Sequence, residues 1–181
     1  AAGPQPSERP ALELHRTRGE GPPAVQTFRQ LSLAVAIDSG DGKVHFTPAN
    51  LNSNFHRSIE TTTTARVLRA IFCNPDRFVH HEPLPGVETF GDEGAANHTR
   101  LCTDHGELGT HLFVYSRADT HSSPGYPARQ SLEASRAVAR LHGLDASRTV
   151  FAQQLPAAVD AGAFHNDVVA VGNERLFLLH E

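Results

Sequence analysis

The residues best suited to chemistry are His165 and Asp167, two apart in Phe164-His165-Asn166-Asp167 and followed directly by Val168-Val169-Ala170-Val171. A β-branched run of this kind predicts a buried strand with polar residues at its entrance. Along an extended chain, side chains two apart point the same way, so His165 and Asp167 face one common space and Asn166 turns from it. A carboxylate there can grip the planar N–H donors of a cationic substrate while the imidazole moves protons near neutral pH. The same tripeptide also suits a turn with solvated side chains. A second polar cluster runs from Gly91 to Arg100, where Asp92, Glu93, Asn97, His98 and Arg100 stand among small residues. Small residues let side chains and ligands approach the backbone closely, in binding sites and in tight loops alike.

The elements that must carry these clusters follow from pattern. Residues 1–24 are rich in Pro, Gly, Arg and Glu with scattered apolar positions, which predicts a poorly ordered arm. One domain is expected over 25–181. The apolar run 31–37 suits a strand or a short helix, and Asp38-Ser39-Gly40-Asp41-Gly42 is turn chemistry leading to a strand over 43–46. Val67, Leu68, Ile71 and Phe72 recur with helical spacing behind a threonine cap at 61–64, and Asn74-Pro75 stops that helix. Strands at 87–90 and 112–115 are expected to share a sheet. A helix from Pro127, marked by Ala134, Val138 and Leu141, ends at Gly143. Then come a strand at 149–152, a short helix at 157–161 and strands at 168–171 and 175–179, with a hairpin turn at 172–174. This alternation predicts a mixed α/β architecture.

Composition narrows the function. The 181 residues carry a formal net charge of −4 and no basic cluster, which argues against nucleic acid or an anionic membrane as partner. Apolar stretches stop far short of the roughly 20 residues that span a bilayer, and the start lacks a signal core, so a cytoplasmic address is expected. Two cysteines, Cys73 and Cys102, do not make a disulfide framework. No phosphate-binding glycine loop, dinucleotide fingerprint or Gly-x-Ser-x-Gly elbow is present.

Five separated motifs stand in the order found in bacterial N-succinylarginine dihydrolases. They are Asp41-Gly42-Lys43-Val44-His45 through Phe55-His56-Arg57-Ser58, then Gly91 to Arg100, Tyr126-Pro127-Ala128-Arg129-Gln130, Phe151-Ala152-Gln153-Gln154, and Phe164 to Val168. The chain resembles that family over about residues 41–181. The resemblance implies a pentein-type α/β propeller of ββαβ-like modules, of which this chain would be an incomplete, central part. It implies hydrolysis of N2-succinyl-L-arginine to N2-succinyl-L-ornithine, carbon dioxide and two ammonia, in arginine catabolism and without metal or organic cofactor. Carried over by motif, Glu93 would be the acid that orients the histidine, and His165 the general acid/base. Asp167 would hold the guanidinium, while Arg129, His56 and Arg57 correspond to further substrate-binding positions. The family attacks the guanidinium carbon with a cysteine thiolate from its C-terminal part. Neither Cys73 nor Cys102 stands in that motif, so a catalytically incomplete fragment is expected, and an incomplete propeller favours association between copies. Leu155 replaces an amide of the family pattern, and the first forty residues do not match it.

Two other readings suit the same residues. Without the nucleophile, the chain would bind succinylarginine and not turn it over. Alternatively, twelve histidines and two cysteines would form a metal-binding module around His80, His81, Cys102 and His105.

Overall fold

The computed structural model describes residues 31–50, 55–90, 98–104, 106–115, 130–154, 170–173 and 176–179. The expected arm at 1–24 and short helix at 157–161 lie outside these residues. What is described is α/β, built from one pattern used twice.

The first module begins with β1 (Leu31–Ala34) and β2 (Val44–Pro48), which pair antiparallel with Leu33 opposite Phe46. Between them Gly42 takes φ 70°, the left-handed backbone that glycine adopts without steric cost. The chain continues through α1 (Phe55–Ser58) and α2 (Glu60–Ile71), then returns as β3 (Phe78–His80), parallel to β2 with His80 opposite Phe46. Thr61, Thr64, Ala65 and Leu68 form the buried face of α2, the three-and-four spacing of an amphipathic helix. The expected threonine cap is not made. The helix starts at Glu60, and the Thr61 hydroxyl instead donates to the Ala49 carbonyl at 2.9 Å, tying the helix to the end of β2.

The second module repeats this order. Strands β4 (His98–Leu101) and β5 (Thr110–Tyr115) pair antiparallel, α3 (Leu132–Leu141) follows, and β6 (Thr149–Gln153) pairs parallel to β5. Ser131 caps α3 by accepting from the Ala134 N–H at 3.1 Å, so the helix starts past the expected Pro127. Its end is where the glycine signal put it, since Gly143 has φ 64°. A third antiparallel pair, β7 (Ala170–Asn173) and β8 (Leu176–Leu179), forms its own sheet, with β7 lying against β4.

Each module has its own core. Leu31, Val44, Phe46, Leu68 and Phe72 cluster in the first, with Phe78 against them; Leu84, Phe113, Val138 and Ala139 cluster in the second, with Phe151 against them. Phe46 and Phe113 occupy matching positions and are 1% and 0% exposed, so each contributes about 1.5–3 kcal/mol by burial. The strand expected at 87–90 is instead a single 3-10 turn over Glu88–Phe90, and β5 pairs with β4 and β6. Glu88 and Thr89 between Val87 and Phe90 do not alternate as a half-buried strand would, and the Phe90 N–H closes back on the Val87 carbonyl. Among the described residues no helix is long and apolar enough to cross a membrane.

Candidate functional site

In each module the helix runs back between two parallel strands, so the carboxyl ends of those strands and the start of the helix share one edge. Contacts between the modules align these edges. At the amino edge, the Gly40 N–H donates to the Gly143 carbonyl at 3.0 Å, joining the β1–β2 turn to the end of α3. At the carboxyl edge, Asn50, just past β2, donates from Nδ2 to the carbonyls of Pro85 at 2.8 Å and Phe90 at 2.7 Å. The neighbouring Thr89 carbonyl accepts from the Ser131 N–H at the start of α3.

The segments that carry the residues singled out from the sequence each follow a described residue at this carboxyl edge. Glu93 belongs to 91–97, between Phe90 and the first residue of β4. Arg129 belongs to 116–129, between the end of β5 and Gln130. His165 and Asp167 belong to 155–169, between the end of β6 and the start of β7. All four lie outside the described residues. His56 and Arg57 are in α1, between β2 and α2, and their side chains also lie outside. Gln130 and Gln154 are described at this edge. Gln130 is fully buried with neither amide atom hydrogen-bonded, and Oε1 of Gln154 is likewise buried without a partner.

The amino edge holds a polar group that the sequence did not announce. Asp38 is 8% exposed and accepts from Gly109 N–H at 2.7 Å, from His111 Nε2 at 3.0 Å and from Arg100 Nε. Burial alone would raise its pKa. The bonds from His111, Arg100 and Gly109 and the guanidinium charge outweigh that and hold the carboxyl well below the usual carboxylate range. Gly109 must be glycine here, because a Cβ would come within 2.7 Å of the Arg100 side chain. Beside this group His45, His81 and His142 pack ring on ring, with centroids 5.1–5.9 Å apart. His45 bonds Asp41 at 2.9 Å and His81 at 2.8 Å, and His142 bonds the Thr47 hydroxyl at 2.7 Å. Burial, then the neighbouring imidazoles, pushes His142 down to about 3 and lowers His81. Asp38 reads as a plain turn residue because its partners stand 62 to 73 positions away.

The cysteines are at the amino edge as well. Cys73 is exposed just past α2, and Cys102 follows β4 with its sulfur 2.7 Å from Arg100 Nη1. Among the described residues no three His, Cys, Asp or Glu side chains come together as metal ligands. His80 bonds the Phe72 carbonyl while the adjacent His81 turns to His45, and His105 lies outside the described residues.

A family model described as succinylarginine dihydrolase matches residues 30–181, so the likeness begins before the expected residue 41 and takes in β1. The chain is 59% identical over 158 residues to the N-succinylarginine dihydrolase of Chromohalobacter salexigens, covering 86% of this chain and 35% of that protein. Against the enzyme of the same name from Marinobacter nauticus it is 57% identical over 159 residues, or 86% and 36% of the two chains. Against that of Pseudomonas fluorescens it is 57% identical over 154 residues, or 83% and 34%. The chain thus spans about a third of the length of these relatives. With the match covering every residue described above, the chain belongs to the succinylarginine dihydrolase family.

Proposed function

We propose that the carboxyl edge of the two modules is part of a site that hydrolyses N2-succinyl-L-arginine to N2-succinyl-L-ornithine, carbon dioxide and two ammonia, in a cytoplasmic protein whose modules continue as a pentein-type propeller. The observation that carries this reading is the shared edge. The segments bearing Glu93, Arg129, His165 and Asp167, and the helix bearing His56 and Arg57, each follow a described residue at that edge. In this reading Asp167 pairs with the guanidinium, where a carboxylate can accept two parallel N–H bonds. Arg129 and Arg57 neutralise the substrate's carboxylates, with His56 beside them. Glu93 holds the imidazole of His165 in position to protonate departing ammonia and then to take a proton from the attacking water.

Displacing ammonia from a resonance-stabilised guanidinium carbon also needs a strong nucleophile. In this reading the thiolate comes from other residues, because Cys73 and Cys102 are at the opposite edge. That favours a second reading, in which this chain by itself binds the substrate without turning it over. Calorimetry with N2-succinyl-L-arginine, paired with an ammonia assay, tests both. Heat that is lost in Arg129→Ala and Asp167→Ala supports the site. Heat retained in both variants, or no heat from the unaltered chain, contradicts it. Ammonia release that survives His165→Ala contradicts the assigned roles.

A further inference from the structure

The buried group at Asp38 continues as an unbroken line of hydrogen bonds. His111 Nε2 bonds Asp38, His111 Nδ1 lies 2.7 Å from His98 Nε2, and His98 Nδ1 lies 3.1 Å from the Ser32 hydroxyl. Only one proton fits between the two ring nitrogens. If His111 were a cation it would supply that proton, and the buried set of Asp38, Arg100 and His111 would carry net positive charge. If His111 is neutral, Asp38 and Arg100 balance, which is the cheaper state away from water. His111 then carries its proton on Nε2 toward Asp38 and presents a bare Nδ1. His98 must therefore carry its proton on Nε2, and its own Nδ1 accepts from Ser32.

His98 is held in other ways too, with its ring stacked on Phe113 at 4.1 Å. Arg100, two residues on, is tied to Asp38 directly and to the Glu107 carbonyl at 2.5 Å. His98 opens β4, five residues after Glu93, and on the other side of that segment Phe90 is fixed by Asn50. The two flanks of 91–97 are therefore anchored by separate side-chain bonds.

We propose that Asp38 is a positioning residue, which acts through His111 to hold His98 in its Nε2–H form and so fixes the strand by which the chain leaves the Glu93 segment. This rests on the reading in which Glu93 belongs to the succinylarginine site. Long-range nitrogen–proton correlation of the 15N-labelled chain near neutral pH reads the tautomers directly. His98 and His111 are each expected to carry one proton, on Nε2, and in Asp38→Asn the His98 signal is expected to divide between two forms. In calorimetry, His98→Phe keeps a ring against Phe113, removes the bonds to His111 and Ser32, and is expected to weaken binding of N2-succinyl-L-arginine by about tenfold or more. Nδ1–H on His98 in the unaltered chain overturns the proposal without needing any variant to fold. So does binding by the unaltered chain that His98→Phe leaves unchanged, with the substrate reading intact. No binding by the unaltered chain removes the substrate reading and the positioning role together.

Discussion

The two modules share strand order, register and helix placement, yet differ in what fills equivalent positions. Where the first has Leu33, Val44 and Phe72, the second has His98, His111 and His142. For His98 and His111 the reason lies in the β1–β2 turn, which reaches across and inserts Asp38 into the amino edge of the second module, while His142 meets the Thr47 hydroxyl of the first. A buried carboxylate needs donors on every side, so the receiving positions are an imidazole, a guanidinium and a bare backbone N–H. The first module receives no such carboxylate among its described residues, and its matching positions are apolar. Topology sets where the strands go, and the neighbour sets what they carry.

The largest expected effect tests whether the modules are equivalent in their cores. Phe46→Ala and Phe113→Ala should each cost about 3–5 kcal/mol in urea unfolding, because each leaves a cavity at the centre of its module. A cost below about 1 kcal/mol for either would break the equivalence. Next comes Asp38→Ala, expected to cost about 3 kcal/mol or more by leaving Arg100 buried without its counter-charge. The similarly paired but exposed Arg69 and Glu82 supply the contrast: Arg69→Ala should cost under about 1 kcal/mol, the smallest effect of the series.

Between these lies a pH dependence that belongs to the imidazole seam. His142 titrates near 3 when folded and near 6.5 when unfolded, so the unfolded chain takes up its proton first as pH falls. Stability from this group is full above about pH 6.5 and drains away between there and about 3, with His81 adding in the same direction. Asp38, also lowered, adds its loss only below the unfolded carboxylate value near 3.8. Urea melts from pH 7 to 4 should therefore show falling stability, with a shallower slope in His142→Gln. An equal slope in that variant would mean the seam titrates elsewhere.

Much of this was legible in the sequence, and for reasons that can be named. Periodicity found α2 and most of α3, and the glycines at 42 and 143 marked real reversals, because those signals are local. The short strands β3 and β4 have no counterpart in the pattern, since their three and four residues leave little alternation to read. The threonines of α2 read as a cap in the sequence because the partner of Thr61, the Ala49 carbonyl, comes from another element. A contact across the second module is equally hidden from pattern, with the Arg136 guanidinium lying 5.8 Å over the Phe151 ring. The family was readable from motifs in order. The Asp38 group was not, because its partners meet only after the modules have folded against each other.

The most direct test of the substrate site is a map of backbone amide shifts in the 15N-labelled chain as N2-succinyl-L-arginine is added. The account predicts changes at the carboxyl edge, at Asn50, Phe90, Gln130 and Gln154, with Cys73, Gly109 and Gly143 at the opposite edge left in place. Shifts centred on the amino edge, or none at saturating substrate, would contradict it.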